Sequence, residues 1–282
     1  MNTQVTIIFV TYHSENRIVK YINKLGKNFK IIIVENSKNF NLKKKLKKFS
    51  NVKVIINKKN NGFGSAANLA LKTIKTKYTL HLDVDTNITN KSILDLINAA
   101  NRIKNFGIIT AKINKFNYKE EYFLKNNYLK NYNQMKFVDG CCLLFNMKQM
   151  KTVGFFDKNF FLYFEETDLL QRCLKHNKKI FMIDNIKISH IGRSASDKKY
   201  NSIIEINRNW HYMWSKFYFH KKHDNYFYAF IKIFKHIISA FFKVIYFNLT
   251  DNKTKKLIYE ARLSGCINSM MLKKSWYRPK IN

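Results

Sequence analysis

Short apolar runs alternate with amphipathic helical patterns through the first 113 residues, and this alternation constrains the fold more than any other feature. The predicted strands cover residues 5–10, 30–34, 52–56, 78–82 and 107–113. Helical patterns begin at residue 14 and cover 42–49, 65–74 and 91–104. Such an order predicts an α/β fold, with a Rossmann-like, mostly parallel sheet covered by helices on both faces. Because these sheets bind ligands at the carboxyl ends of their strands, the loops after Val34, Ile56 and Leu82 are expected to line one crevice.

The later part of the chain has a different organisation. Residues 114–136 are polar and rich in Tyr, Asn and Lys, which predicts a surface excursion or lid. An apolar run at 138–145, a helix at 168–176 and strands at 179–183 and 186–190 complete the predicted α/β part. The alternation then stops, and helices are expected at 203–222, 226–247 and 253–273. We therefore predict a catalytic domain over residues 1–202 and a helical C-terminal region over 203–282.

Charge is the most unusual feature of the composition. The 52 Lys and Arg residues against 18 Asp and Glu give a formal net charge of +34, which favours an anionic partner such as nucleic acid, a phospholipid surface or a phosphorylated substrate. The abundance of Lys, Asn, Ile, Phe and Tyr is also typical of AT-rich codons, so the scarcity of acids is the more informative fact. With 46% hydrophobic residues and one proline, general disorder is excluded. The four cysteines form no C-x-x-C pair and are expected to be reduced thiols.

The predicted helix over residues 226–247 is nearly all apolar or aromatic apart from one narrow sector. That sector holds Lys232, Lys235, His236, Ser239 and Lys243 at about 100° per residue. Three lysines at roughly 2.5–3.5 kcal/mol each oppose a membrane-spanning position. Such a helix is expected to lie in the interface of an anionic membrane, with its lysines towards the headgroups. The alternative is a helix that packs on the catalytic domain.

Two groups of acids stand out in a chain that has few. Asp83 and Asp85 directly follow a predicted strand, and paired carboxylates suit Mg²⁺ or Mn²⁺ together with substrate phosphates. The alternative is a turn that caps the next helix. Glu165, Glu166 and Asp168 form the second group, where carboxylates that share a site raise one another's pKa and suit a general base. The alternative is a helix N-terminus matched to its dipole. The residues alone leave the base open among the three.

Two loops complete the candidate site. The segment from Asn61 through Gly62 and Phe63 to Asn68 has small residues that permit close approach of a ligand, before a helix N-terminus that attracts anions. It matches neither the G-x-x-x-x-G-K-[ST] nor the G-x-G-x-x-G signature, so the usual marks of ATP hydrolysis and NAD chemistry are absent. His190 ends a predicted strand, where a neutral imidazole can complete a metal shell and the following Arg193 can hold a phosphate.

Taken together, these motifs resemble the family 2 glycosyltransferases, and within them the rhamnosyltransferase-like branch. The resemblance extends from about residue 5 to residue 196. The matching segments are Val5–Tyr12, Ile33–Ser37, Asn60–Asn68, Leu82–Asp85, Val153–Asp157, Phe161–Leu169 with Arg172, and Ser189–Ser194. Two positions depart from the family pattern: Glu35 replaces an Asp, and Arg193 stands where Gly is common.

This resemblance implies a GT-A fold and a hexosyltransferase activity that is inverting and depends on Mg²⁺ or Mn²⁺. It implies that Asp85 and His190 bind the metal and that Glu166, beside Glu165 and Asp168, is the catalytic base. The residues implied to bind the nucleotide-sugar are Thr11, Tyr12, Glu35, Asn36, Asn61, Gly62, Phe63, Asn68, Asp83 and Arg193. The expected acceptor is a glycan or polyprenyl-diphosphate-linked glycan in cell-surface polysaccharide synthesis. The expected location is cytoplasmic, peripheral on the inner face of the plasma membrane.

Other readings of the sequence remain open. A basic nucleic-acid-binding protein would explain the charge, but the lysines are spread along the chain and no helix-turn-helix, RRM or finger pattern occurs, so no specific nucleic acid is expected. A catalytically inactive glycosyltransferase-like scaffold is the alternative without an activity. A nucleotidyltransferase would share the sheet and the metal carboxylates, but it would leave the acids at 165–168 unexplained.

Overall fold

A computed structural model of the chain describes residues 1–124, 131–192, 194–196 and 200–278. Its contacts group the chain into two compact units. The first comprises Met1–Asn61, Ser65–Phe156 and Leu169–Ser196, and the second comprises Gly62–Gly64, Asp157–Asp168 and Asp197–Asn282. Two short segments of the N-terminal part thus group with the C-terminal helices, while the boundary at residue 202 stays a sequence-based prediction.

The first unit is built on a nine-stranded sheet within the described residues. The strands are β1 (Asn2–Thr11), β2 (Phe29–Glu35), β3 (Val52–Ile56), β4 (Tyr78–Leu82), β5 (Thr86–Asn87), β6 (Phe106–Ile113), β7 (Tyr132–Gln134), β8 (Cys142–Asn146) and β9 (Lys179–His190). Their order is β3-β2-β1-β4-β8-β6-β9-β5, with β7 pairing to β9. Strands β1 to β4 are parallel, as are β6 and β9, while β8 runs antiparallel to β4 and β6. The predicted mostly parallel sheet is confirmed.

Helices follow the strands in the order that the sequence pattern predicts. They are α1 (Glu15–Leu25), α2 (Phe40–Leu46), α3 (Phe63–Leu71), α4 (Asn90–Arg102), α5 (Met147–Val153) and α6 (Glu165–Lys175). In α1 the residues Ile18, Tyr21, Ile22 and Leu25 are buried, which is the spacing of a single helix face. The Thr89 side chain accepts a hydrogen bond from Ser92 N and caps the start of α4. All five residues of β4 are buried, as expected for a strand covered on both faces.

The structure corrects several details of the sequence-based prediction. The two strands expected at 179–183 and 186–190 are one strand, β9, whose register against β6 shifts between residues 183 and 187. This irregularity absorbs the polar pair Asp184 and Asn185, which interrupts the apolar pattern without ending the strand. Part of the polar stretch 114–136 joins the sheet as β7, because pairing with β9 stabilises it despite its composition; residues 125–130 of that stretch lie outside the described residues. The short elements β5 and α5 had no clear signal in the pattern.

The helices of the second unit are α7 (Asn201–His223), α8 (Tyr226–Leu249) and α9 (Lys253–Met270), which confirms the three predicted C-terminal helices. Their shared core includes Met213, Phe217, Ala229, Ile233 and Cys266. None of the described helices combines the length and the apolar character needed to cross a membrane. The four cysteines are free and buried, as expected for unpaired thiols.

A glycine sets the distance between α7 and α9. A Cβ atom on Gly265 would lie 2.4 Å from the carbonyl oxygen of Trp210 and 3.3 Å from the Cβ of Met213. Both helix backbones therefore approach more closely than any other residue type at 265 would allow. The indole N–H of Trp210 also donates to Ser264 Oγ at 3.1 Å, which ties the same two helices together.

We expect Gly265→Ala to destabilise the protein, although helix propensity alone would favour the substitution. Alanine in a helix interior is better than glycine by ~1 kcal/mol, whereas overpacking costs roughly 1–3 kcal/mol, and the obstacle here is backbone that cannot rotate away. Urea unfolding of the variant, beside Lys253→Ala at an exposed position of α9 as a control, measures the difference. Unchanged or increased stability of Gly265→Ala would show that the helices separate without cost.

Candidate active site

Polar residues collect where β1, β2 and β4 end, at one edge of the sheet. Thr11 and Glu35 are register partners at the ends of β1 and β2, and Asn36 N donates to Thr11 O at 2.8 Å. Asn57, which follows β3, donates from Nδ2 to Asn36 Oδ1 at 2.7 Å. Asp83 follows β4, the other neighbour of β1. The predicted edge of the crevice is therefore assembled from the carboxyl ends of neighbouring parallel strands.

The Glu35 carboxylate is buried and binds the loop that follows it. It accepts hydrogen bonds from Ser37 N at 3.0 Å, from Asn39 N at 2.7 Å and from the Ser37 hydroxyl. Asn39 in turn caps α2 by accepting from Leu42 N. One carboxylate therefore holds the turn between β2 and α2, and this turn presents Asn36.

An acidic cluster with one imidazole lies beyond β4. His190 Nε2 is 3.3 Å from Asp85 Oδ1 and 3.8 Å from Asp83 Oδ2. Ser194 donates to Asp85 Oδ2 from its backbone N at 3.2 Å and from its hydroxyl at 3.1 Å. The ligand atoms of Asp83, Asp85 and His190 all lie within 4.8 Å of one another, close enough to hold one metal ion. Two carboxylates and an imidazole are donors that suit Mn²⁺ or Mg²⁺.

Backbone pairing brings the cluster together. Strand β5 pairs antiparallel with β9, and Thr86 is the register partner of His190. The Thr86 hydroxyl donates to Cys141 O at 3.1 Å, and Asp83 N donates to the same carbonyl at 3.0 Å. These two hydrogen bonds fix the turn that carries both aspartates at Asp83, its first residue, and at Thr86, which directly follows Asp85.

Charges in the cluster shift its pKa values in opposite directions. Burial alone would raise the pKa of Asp85, but the hydrogen bond and charge of His190, together with the Ser194 donors, hold it below its ordinary value. The hydrogen bond to Asp85 raises the pKa of His190, against the effect of burial, and Asp139 and Asp83 raise it further. Both shifts favour the charged forms, so Asp85 and His190 stabilise one another as an ion pair.

Two members of this site escaped the sequence analysis. Asp139 Oδ1 lies 3.6 Å from His190 Nδ1, on the opposite side of the ring from Asp85, and Asp139, Cys141 and His190 form a second group of possible ligands. Its signal was an acid next to a glycine in a chain with few acids. His81 Nε2 lies 3.2 Å from Asp83 Oδ1. Its signal was a polar residue inside the otherwise apolar stretch of β4.

Other residues implied by the family resemblance have structural contacts. Tyr12 O accepts from Ser196 Oγ at 2.8 Å, which joins the turn after β1 to the segment after β9. The Asn68 amide makes a reciprocal pair with the backbone of Phe156, donating to its carbonyl at 2.8 Å and accepting from its N–H at 3.1 Å. Asn61 precedes this helix in the first unit and is exposed. Arg193 lies outside the described residues.

Gly62 and Phe63 belong to the second unit. Gly62 has φ +97°, and a Cβ atom there would lie 2.2 Å from Phe161 O. Phe63 N donates to that same carbonyl at 2.9 Å. The sequence predicts that a small residue here permits close approach of a ligand. In the structure, Gly62 is required because the chain's own backbone at Phe161 approaches it closely.

The three carboxylates at the start of α6 have different environments. Asp168 is fully buried, with Lys222 Nζ at 2.6 Å and His223 Nε2 at 2.8 Å from its Oδ1. Glu165 is also buried, whereas Glu166 is half-buried. Lys222 also lies 2.7 Å from Asp157, so one ammonium joins two carboxylates. Asp168 serves to anchor the helix, and Glu166 has the greatest access to solvent of the three.

A turn with strained backbone directly precedes these carboxylates. Tyr163 and Phe164 have φ values of +67° and +66°, a conformation that bulky residues rarely adopt. Helix α7 holds the turn: Ser215 Oγ donates to Leu162 O at 2.9 Å, and the Phe164 ring packs against Tyr212 and Phe219. Strain retained at a carboxylate-bearing turn is typical of functional sites.

A mostly parallel α/β sheet with this topology, followed by C-terminal helices, is a GT-A fold, the class of the nucleotide-sugar transferases. The sequence profile described as Glycosyl transferase family 2 matches residues 6–157, more than half of the chain. The chain belongs to this family and is a glycosyltransferase, which confirms the resemblance seen in the motifs.

Individual relatives are distant. The chain is 25% identical over 209 residues to the dTDP-rhamnosyl transferase RfbF of Shigella flexneri, covering 67% of this chain and 70% of that protein. The mannosyltransferase PcManGT of Pyrobaculum calidifontis, solved with GDP-Man and Mn²⁺, has a TM-score of 0.58 at 10% identity, covering 97% of this chain and 89% of that one. The S. aureus TarS 1–349 structure has a TM-score of 0.56 at 14% identity, covering 98% and 93%. At these identities the structural neighbours show the fold alone.

We expect Asp168→Asn to destabilise the protein by roughly 1–3 kcal/mol, because it removes the buried charge that faces Lys222 and His223, while Lys222 keeps Asp157 as a partner. Glu166→Gln, two residues away and half-buried, is expected to change the free energy of unfolding by less than ~1 kcal/mol. Chemical denaturation of the two variants beside the wild-type protein tests the contrast. Equal stability of all three proteins would contradict an anchoring role for Asp168.

Proposed function

We propose that this chain is an inverting, metal-dependent glycosyltransferase that transfers a sugar from a nucleotide-sugar to a lipid-linked glycan in cell-surface polysaccharide synthesis. One observation carries the proposal: Asp83 and Asp85, directly after β4, form a cluster with His190 at the end of β9, in a chain of glycosyl transferase family 2. The family membership supports a nucleotide-sugar donor, and the cluster supports a metal that binds its diphosphate.

The donor atoms of the cluster fit a divalent cation. Asp85 and Asp83 offer carboxylate oxygens and His190 offers a ring nitrogen, the combination that Mn²⁺ accepts and Mg²⁺ accepts in part. Ser194 donates to Asp85 Oδ2, and Asp139 lies beside His190 Nδ1. These contacts would keep both ligands oriented. When bound, such a cation would neutralise the charge that develops on the leaving nucleoside diphosphate.

Glu166 is the proposed base. Its greater exposure supports this choice over Glu165, which is buried, and Asp168, which is buried and paired with Lys222 and His223. Its carboxylate would take the proton from an acceptor hydroxyl as the oxygen forms a bond to the anomeric carbon. The bond from that carbon to the diphosphate oxygen breaks, and the electron pair leaves with the nucleoside diphosphate. A single displacement inverts the anomeric centre, by the same geometric reasoning that separates inverting from retaining glycosidases.

The relatives suggest which donors to test, and the charge of the chain suggests the surroundings of the acceptor. The name of the RfbF relative makes dTDP-rhamnose the first donor to test, followed by UDP-GlcNAc and GDP-mannose, which appear with the structural neighbours. A polyprenyl-diphosphate-linked glycan is the proposed acceptor, on the inner face of the plasma membrane. The excess of positive charge, formally +34, is consistent with an anionic surface around that acceptor.

A donor panel with and without Mn²⁺, in the presence of a membrane lipid extract, tests the activity through released nucleoside diphosphate. We expect metal-dependent release from one donor and a loss of kcat/KM by roughly a hundredfold or more in Asp85→Asn, which removes a charge without changing shape. Asp95→Asn on α4 is the matched control. Calorimetric titration with Mn²⁺ reports the site independently of turnover, and equal Mn²⁺ affinity of Asp85→Asn and the wild-type protein would refute the assigned ligand.

Glu166→Gln tests the base. We expect kcat to fall roughly 10²–10⁴-fold, with Mn²⁺ affinity and donor binding unchanged, because only proton removal from the acceptor is lost. Glu165→Gln is the neighbouring control. Full turnover of Glu166→Gln at saturating substrates, together with an inactive Glu165→Gln, would show that the base is assigned to the wrong residue.

A further inference from the structure

Helix α8 presents an apolar face to solvent along its whole length. Phe227, Ile231, Phe234, Ile238, Phe241, Ile245 and Leu249 are all exposed and recur every three or four residues. This spacing puts them on one side of the helix, and Phe242 and Tyr246 widen that side. Phe227 is 72% exposed and Leu249 is 79% exposed, so the face extends to both ends of the helix. We call these nine residues the exposed α8 face.

The opposite side of α8 carries the packing. Ala229, Ile233 and Ala240 are buried, and the first two share a core with Met213, Phe217 and Cys266 of α7 and α9. Phe230 and Ile237 pack against the same core from partly buried positions, and the Phe247 ring stacks on Tyr259 of α9. This packing is against α7 and α9 of the same helical unit, so the alternative that the helix packs on the catalytic domain stays a prediction, and the exposed α8 face is left unexplained.

Charge indicates which kind of partner the exposed α8 face can bind. Helix α8 carries Lys232, Lys235 and Lys243 and no acidic residue. At about 100° per residue Lys235 lies at the edge of the exposed α8 face, and Lys232 and Lys243 lie between that edge and the buried side. Two of their ammonium groups lie over aromatic rings: Lys232 Nζ is 4.8 Å from the centre of the Tyr228 ring, and Lys243 Nζ is 4.8 Å from that of Tyr259. Long cationic side chains beside an apolar face are the composition of helices that lie in a membrane interface.

We propose that the exposed α8 face docks on an anionic phospholipid bilayer, with its aromatic side chains among the acyl chains near the headgroups and its lysines on the phosphates. A second copy of this chain fits less well. Pairing two such faces would bring two sets of three lysines together, in a chain that already carries a formal charge of +34. An anionic surface is the partner whose charge complements both the helix and the chain.

Flotation with vesicles tests this proposal without donor, metal or acceptor. The probes are vesicles of phosphatidylcholine mixed with phosphatidylglycerol, and vesicles of phosphatidylcholine alone. We expect the full chain to bind the anionic vesicles, with binding that weakens as salt is added. Replacing Lys232, Lys235 and Lys243 by Gln is expected to lower the partition coefficient by roughly a hundredfold. The double variant Phe234→Ser and Phe241→Ser is expected to lower it by roughly tenfold or more.

Matched controls separate a docking face from general charge. Replacing Lys43 and Lys44 of α2, together with Lys47 directly after it, by Gln removes the same charge from another exposed surface. Phe40→Ser with Leu94→Ser removes two exposed apolar side chains elsewhere. Both controls are expected to bind vesicles as the wild-type protein does. Unfolding midpoints of all variants show whether each one is folded.

Three outcomes would overturn the proposal. The wild-type protein could fail to bind anionic vesicles, or the α2 lysine variant could lose as much binding as the α8 variant. Sedimentation could also show a dimer that the Phe234 and Phe241 substitutions dissociate, with no vesicle binding. Mn²⁺ affinity, measured by calorimetry without lipid, is expected to be the same in the α8 variants and the wild-type protein, so failure of membrane docking and failure of the proposed metal site are distinguishable.

Discussion

The contact between His190 and Asp85 is the interaction on which the organisation of the candidate site depends. These residues are far apart in the sequence, and they meet because the two-residue strand β5 pairs with the end of β9. The same pairing orders the turn after β4, and Ser194 reinforces it by donating twice to Asp85. A hydrogen bond that raises the pKa of His190 and helps to lower that of Asp85 stabilises the charged pair in a mostly buried position. The fold therefore orients these side chains before a cation binds, and His190 would release its proton on binding the cation, since only a neutral imidazole is a metal ligand.

Carboxylates in this acid-poor chain divide into those that hold the fold and those that are available to a ligand. Glu35 holds the turn after β2, and Asp168 anchors the start of α6 through Lys222 and His223. Asp83 and Glu166 retain more exposure. This division narrows the choice of catalytic groups on physical grounds, because a buried and fully paired carboxylate would have to break its ion pairs before it could accept a proton.

The second unit combines two kinds of surface. Its helix α7 holds the strained turn at Tyr163 and Phe164 through Ser215, Tyr212 and Phe219, and its helix α8 leaves a continuous aromatic face in solvent. One helical unit thus supports the carboxylates at the start of α6 and carries the proposed membrane surface. The proposed acceptor is lipid-linked. Docking would therefore hold the enzyme at the same membrane surface as the acceptor hydroxyl.

The sequence by itself determined the class of fold and most of its elements. A parallel strand buried on both faces is a continuous apolar run, and a helix buried on one face has apolar residues every three or four positions. Both patterns can be recognised from neighbouring residues alone. The strands β3 and β4 and the three C-terminal helices were predictable on this basis, whereas the motifs around Asp85, Glu166 and His190 stood out by residue type and by the family resemblance. Tertiary structure alone decided which distant groups meet and which side of a helix is covered. Asp139 joins His190, His81 joins Asp83, and the polar strand β7 exists only because β9 lies beside it. It also decided that Asp168 is an anchor and that the nine residues of the exposed α8 face stay uncovered, since ion pairing and burial depend on neighbours that the local pattern of residues does not specify.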